Sequence, residues 1–457
     1  MTKEFENLLD LLKSNILENI ALAFNVAPNY KTEFEAHFGM SLEDYQELYL
    51  YLKTHERQEN WYEDNEYGND FLQGYILDEI QYQDQKNVIF IPKAIKYLKA
   101  LKLLRFDNCA LLHLPKEISK LTKLTKIVAN GNALKEIPKE IGFLQGLWEL
   151  DLHNNQLANI PKEIGKIENL TILNLFGNHL KNIPKEIGKL SYLENLDIAH
   201  NELNDLPEEL ILLTNLTHLT LCGNDLSSLP DEKMEVIYQI KSLTSLDLSN
   251  SNLKNISSKI GNLNNLNNLS LQENLLEYLP QEIGELKSIQ QLRLHKNKLK
   301  EIPKEIGNLQ NLDWLQLNDN QLQNLPEEIG EMKKLRTLFL TNNQFHVFPD
   351  GLVYMKKLHF LDLTNNQISS VPKEIGQLKK LHTFYLKGNN IEELPQEMEG
   401  LENLEMLYLE ENLLKIFPTQ LKNLKKLRAL FFDEMQKIQF KSEIKLLKKT
   451  NPKINFY

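Results

Sequence analysis

The 457-residue sequence predicts an α/β solenoid: short coils stacked in a horseshoe, each giving one strand to a parallel sheet on the concave side, preceded by a small α-helical domain. Three observations carry this prediction. An asparagine recurs in register as Asn132, Asn155, Asn178, Asn201, Asn224, Asn274, Asn297, Asn320, Asn343, Asn366, Asn389 and Asn412, with neighbours 23 residues apart except across Asn224–Asn274. A fixed period of that length is the mark of a stack of identical supersecondary units. Around each asparagine the apolar positions alternate and then give way to an apolar residue followed by proline, in every coil but the one where Ser257 replaces it, so every coil begins as a strand and returns by another conformation. The first ninety residues lack this pattern and instead space their apolar side chains three and four apart, as helices do.

The coil at Leu312–Leu322 reads L-D-W-L-Q-L-N-D-N-Q-L and closes with N-L-P-E-E-I-G at Asn324–Gly330. Leu315 and Leu317 alternate inward along a short strand, while Trp314 and Gln316 face out. The sharp turn that follows strands backbone groups in the interior, and the Asn320 amide offers two donors and an acceptor to satisfy them. Pro326 interrupts strand pairing and allows a helical turn to start. The pattern L-x-x-L-x-L-x-x-N-x-L resembles the leucine-rich repeat from about Ile91 to the C-terminus. Its L-P-x-x-I-G-x-L half resembles the intracellular class of bacterial proteins, plant Ras-group-related proteins and animal Ras-linked scaffolds. That resemblance implies a signalling scaffold, with a small GTPase among the partners.

Residues 1–90 are expected to form a helical cap or docking domain, 91–437 the repeats, and 438–457 a helix-strand cap. Phe5, Leu8, Leu9, Leu12, Ile16 and Ile20 predict a helix from about Glu4 to Phe24, closed by Pro28. Ser41 starts a second helix with Leu42, Tyr45, Leu48 and Leu52 on its buried stripe. A polar loop, His55 to Asn69, leads to a third carrying Phe71, Leu72, Tyr75, Ile76 and Ile80. Val88–Leu98 is the second half of a coil without its first half. Fourteen coils then begin at Leu101, Leu124, Leu147, Leu170, Leu193, Leu216, Leu243, Leu266, Ile289, Leu312, Leu335, Leu358, Leu381 and Leu404, with a degraded one at Leu427. The coil at Leu216 is four residues longer, and Asp231–Tyr238 should add a helical turn on the outer side. Cys109 and Ser251 replace the asparagine with weaker donors. Met435 has none, so the ladder should end there. Ser442–Lys449 predicts a helix, and Ile454 with Phe456 a final sealing strand.

Composition removes several function classes. Two cysteines exclude a disulfide framework, and Cys109 and Cys222, five coils apart, would lie on the order of 24 Å from each other. No stretch reaches the ~18 apolar residues of a membrane helix. With an acidic N-terminus in place of a signal peptide, a cytoplasmic location is expected. The net charge of −11 is uneven: residues 1–90 hold 6 basic and 18 acidic side chains, or −12, leaving about +1 elsewhere. From Lys415 onward eleven basic residues face three acidic ones. These ends read either as solvated faces or as surfaces for salt-sensitive end-to-end self-association.

No catalytic motif and no phosphate-binding G-x-x-x-x-G-K-[ST] loop occurs, so no enzyme and no cofactor is expected. The histidines at outward positions, His153, His200, His218, His295, His359 and His382, lack metal-ligand spacing, although His359 and His382 share a column. A chain with an acidic head and near-neutral repeats disfavours nucleic acid. The outward columns carry the functional signal. Small and polar in the middle coils, they turn aromatic at Trp314, Phe339, Phe360, Tyr385 and Tyr408, with Asp362, His359 and His382 as a polar rim. Exposed contiguous rings mark interaction sites; rings on adjacent strands also simply pack on one another. Trp148, Glu149, Asp151, His153, Phe176 and His200 form a second candidate cluster. The expected function is a non-catalytic scaffold for a protein or peptide. The alternatives are a host-directed bacterial effector, or a recruiting arm for an unrecognised N-terminal activity.

Overall fold

The computed structural model describes residues 2–12, 17–54, 79–86 and 88–457, which fall into two compact units, 1–215 and 216–457. The first unit opens with helices α1 (Lys3–Leu12), α2 (Leu17–Val26), α3 (Lys31–Phe38) and α4 (Leu42–Thr54). The span read as one helix from Glu4 to Phe24 thus holds two, which pack on each other; residues 13–16 lie outside the described ones. Pro28 does not end the helical segment either. It sits in the first turn of a 3-10 helix, where its missing N–H costs nothing, and α3 follows directly. Ser41 Oγ accepts the Asp44 N–H at 3.0 Å, the expected start of α4.

Most of the third expected helix lies outside the described residues, but Ile80 is in a strand, β1 (Glu79–Gln83). β1 pairs in parallel with β2 (Leu103–Asp107), matching Ile80 to Leu104 and Tyr82 to Phe106. The half-coil at Val88–Leu98 therefore has its first half after all. It was hidden because Gln85 stands where the asparagine signature belongs. Helix α4 covers this coil: Tyr97 Oη donates to Asp44 Oδ2 at 2.9 Å, Lys96 pairs with the same oxygen at 3.0 Å, and Tyr51 meets Tyr82 edge-on. β3 (Lys126–Val128), β4 (Glu149–Asp151), β5 (Ile172–Asn174) and β6 (Asn195–Asp197) continue the unit's parallel sheet.

The second unit carries β7 (His218–Thr220), helix α5 (Asp231–Ile237), then β8 (Ser245–Asp247), β9 (Asn268–Ser270), β10 (Gln291–Arg293) and β11 (Trp314–Gln316). β12 (Thr337–Phe339), β13 (Phe360–Asp362), β14 (Thr383–Tyr385), β15 (Met406–Tyr408) and β16 (Ala429–Phe431) follow. The chain ends in α6 (Glu434–Gln439), α7 (Lys441–Thr450) and β17 (Asn455–Phe456). All neighbours from β7 to β17 pair in parallel. α5 is the extra turn expected of the longer coil, and it buries Met234, Val236 and Ile237.

One coil explains the rest. Asn320 Nδ2 donates to Leu294 O and Leu317 O, both at 3.0 Å, and its Oδ1 accepts the Leu299 N–H at 3.0 Å. Each asparagine thus ties its own turn to the preceding coil. The residue before it takes a left-handed conformation, Asp319 at φ 55° and Gly177 at φ 65°. Pro326 precedes a 3-10 turn, Glu327–Glu331. Gly284 shows why glycine follows isoleucine there: an added Cβ would lie 2.3 Å from Glu305 O of the next coil. Cys109 is buried and donates weakly to Tyr82 O and Asp107 O, and burial pushes its thiol pKa up. Neither cysteine is in a disulfide. The ladder does not end at Met435. That side chain is 75% exposed, while Gln436 is buried and donates to Leu409 O at 3.0 Å. The longer amide reaches the same carbonyl from one residue further along because α6, capped by Asp433, shifts the register.

Candidate functional site

In the second unit the strand register sorts outward residues into columns. Trp314, Thr337, Phe360, Thr383 and Met406 form one; Gln316, Phe339, Asp362, Tyr385, Tyr408 and Phe431 form the next. The rings alternate between columns at first, so contacts run diagonally: Trp314–Phe339 at 5.3 Å, Phe339–Phe360 at 4.7 Å and Phe360–Tyr385 at 5.4 Å. They then stack within one column, Tyr385–Tyr408 at 3.9 Å, Tyr408–Phe431 at 4.0 Å and Phe431–Tyr457 at 4.8 Å. Seven rings form one continuous ribbon across β11 to β17.

All of the rings but the exposed Tyr457 are half-buried, short of the exposure expected of them, because each covers part of its neighbour. Burial also pushes the Tyr385 phenol well above its ordinary pKa, with the Tyr408 hydroxyl adding to the rise. The Trp314 Nε1 donor is buried in the ribbon with no hydrogen-bond partner among the described residues. Asp362 stands in the ribbon's column between Phe339 and Tyr385, and its Oδ1 accepts the Thr364 N–H at 2.9 Å. His359 and His382 stack at 5.1 Å with rings 4° from parallel. Each donates Nδ1–H to a carbonyl two residues earlier, Lys357 O at 2.5 Å and Lys380 O at 2.7 Å. No group of three or more His, Cys, Asp or Glu side chains suited to a metal occurs among the described residues.

The second candidate cluster, in the first unit, divides. Trp148 precedes β4 and has the Lys126 ammonium 5.8 Å from its ring centre, with Lys126 also paired to Glu149 at 2.7 Å. His153 lies beyond the other end of β4, bonded through Nδ1 to Asp151 Oδ1 at 2.7 Å. Phe176 meets His200 at 4.9 Å at that end. His200 is in the left-handed turn at φ 50°, so it is not a strand-face residue.

Sequence reasoning missed two features. Tyr457 extends the ribbon, and an inward Phe456 already implied an outward neighbour. Lysine pairs also recur just before the strands, at Lys333-Lys334, Lys356-Lys357, Lys379-Lys380 and Lys425-Lys426. Their common phase was legible.

A sequence profile described as "leucine-rich repeat region" matches residues 162–274, 281–359 and 350–450. A leucine-rich repeat protein of Leptospira interrogans is 36% identical, with a TM-score of 0.73, over 84% of this chain and 91% of that one. The plant peptide-hormone receptor RGFR1, solved in complex with RGF2, is 26% identical with a TM-score of 0.54, over 78% and 68% of the two chains. An internalin of Listeria monocytogenes shares the fold at 21% identity and a TM-score of 0.57, over 74% and 88%. No curated protein matches.

Proposed function

The chain belongs to the leucine-rich repeat family, and from that premise we propose that it is a non-catalytic platform holding a protein or peptide on its sheet face. One observation carries the reading: seven rings lie in unbroken contact on the outward side of the sheet, where folding gives large apolar groups no core to fill. Stacked rings present a rigid surface that loses little side-chain entropy when a partner docks. Trp314, Phe339, Phe360, Tyr385 and Tyr408 are the contact residues of this reading, with Asp362, His359 and His382 on the rim; Trp148 and the pair His153 and Phe176 are secondary contacts. The plant receptor solved with a bound peptide supports a peptide as the kind of partner.

The finer reading is a cytoplasmic signalling scaffold whose partner is a small GTPase, supported by the P-x-x-I-G segment that recurs in seven coils. Helices α1 to α4 and residues 438–457 act as end caps in this reading, since both ends of a stacked apolar core need covering. Affinity capture from cells with the wild-type chain and with W314A/F339A/Y385A tests it. Partners retained by the wild type and lost by the folded triple variant support the sheet face; equal recovery on both removes it. A GTPase among the lost partners supports the finer identity.

A further inference from the structure

The lysine pairs flank the ribbon, and four of their eight side chains are committed. Lys334 and Lys426 donate to Asn311 Oδ1 and Asn403 Oδ1, at 2.7 and 2.5 Å; Lys379 pairs with Glu402 at 2.7 Å. Lys356 donates to Val353 O at 3.1 Å. Among the described residues Lys333, Lys357, Lys380 and Lys425 pair with no acceptor, and of these only Lys357 and Lys380 lie side by side. They hold the same place in adjacent coils, both are exposed, and among the described residues neither has a carboxylate within ion-pair distance. The charges of Lys357 and Arg336 hold the Lys380 ammonium below the ordinary lysine range, so this corner carries positive potential that no carboxylate within ion-pair distance offsets among the described residues. Arg336 itself is only loosely paired, 3.5 Å from Asp313. Lys357 is three residues before Phe360, and the stacked His359 and His382 lie between the lysines and the rings.

We propose that the ribbon's occupant is an acidic peptide segment: its apolar or aromatic side chains rest on Trp314, Phe339 and Phe360 while its carboxylates meet Lys357 and Lys380. The proposal rests on the sheet-face reading above and names the chemistry of the partner. Charge complementarity decides the class, because an unneutralised cationic pair beside an apolar strip selects segments carrying both features. The lysines stand one strand spacing apart, about 4.8 Å at the backbone, within reach of carboxylates on nearby residues of one segment. A nucleic acid fits less well. Asp362 and Glu410 stand on the same face and would oppose a phosphate backbone, and two free lysines do not make a phosphate track.

Selection of random peptides displayed on phage, with the full chain as bait, tests this. Lys357→Glu/Lys380→Glu and Trp314→Ala/Phe339→Ala serve as comparison baits. The expected result is enrichment of Asp and Glu beside Trp, Phe, Tyr or Leu. The best synthetic peptide should bind the lysine variant roughly tenfold or more weakly, with added salt weakening the wild-type complex. Peptides that need the rings, show no acidic enrichment and bind the lysine variant equally well overturn the inference and leave the sheet-face reading standing. Acidic peptides indifferent to the rings overturn the placement on the ribbon. Selection of no peptide, or of peptides indifferent to both sites, overturns both readings. A uridine oligonucleotide bound through the same lysines, with no acidic peptide selected, transfers the site to nucleic acid.

Discussion

Replacing Asn320 tests the load each ladder asparagine carries. Its amide satisfies three buried groups: the carbonyls of Leu294 and Leu317 and the N–H of Leu299, each at 3.0 Å. In Asn320→Ala the Leu299 N–H loses its partner, while Leu294 O and Leu317 O keep the amides of Asn297 and Asn343, both at 3.0 Å, so one buried unpaired group sets the loss at ~1–3 kcal/mol. Asn320→Asp separates the donor from the acceptor. One carboxylate oxygen still accepts from Leu299, but the other faces two carbonyls, and a charge is buried. At pH 7 Asp should therefore be at least as damaging as Ala. Burial raises the folded-state pKa of this new carboxyl, so folding favours its protonated form. The stability of the Asp variant relative to the Ala variant is thus greatest below the unfolded pKa of ~3.9 and is lost as pH rises through the folded pKa. Urea unfolding gives the energies, and hydrogen exchange of the segment containing Leu299 gives the location. The Leu322 amide, held by Asn343 at 3.0 Å, is the internal control. An Asp variant as stable as wild type at pH 7, or unchanged exchange at Leu299 in the Ala variant, refutes the ladder argument.

Four further outcomes follow from the same geometry. The variant W314A/F339A/Y385A removes four ring contacts, worth ~0.5–1.5 kcal/mol each, so it should lose about 2 kcal/mol or more in urea unfolding yet stay folded by circular dichroism, while partner binding disappears. Gln436→Ala should cost ~1–3 kcal/mol and loosen the C-terminal cap in hydrogen exchange, whereas Met435→Ala should change stability by less than ~0.5 kcal/mol. Ser257 already has φ −61° and ψ 144°, close to the proline at the same place in other coils. Ser257→Pro should therefore raise stability by ~0.4–1 kcal/mol, less the weak 3.3 Å bond from Lys259 N that it forfeits; a lower melting temperature contradicts this. Gly284→Ala places a Cβ 2.3 Å from Glu305 O and should cost ~1–3 kcal/mol in chemical denaturation.

The coils were legible because one residue type at one phase solves a problem every coil shares. That is why their starts, the longer coil, the Ser257 exception and the closing strand at Ile454 and Phe456 could be placed from sequence. Where the problem was solved differently, the reading failed. Gln436 does an asparagine's work from one position later, and no pattern keyed to Asn at Met435 detects that. The first coil was hidden because Gln85 stands level with Cys109, where the asparagine signature belongs. The division of helix 4–24 and the insertion of α3 depended on packing between helices, which spacing along one helix does not encode.

The candidate surface follows the opposite logic. Inward positions are constrained by stacking, so their repetition reports the fold and nothing else. Outward positions are free of that constraint, so any order they show needs another cause. Aromatic columns beginning at β11 and lysine pairs before β12, β13, β14 and β16 are two such orders, and they coincide over the same coils. Ring packing accounts for part of the first, since each ring half-buries the next. It does not account for the second: the charge of Lys357 bears on Lys380, and among the described residues neither has a carboxylate within ion-pair distance. A folded chain gains nothing from that arrangement, and an acidic partner does.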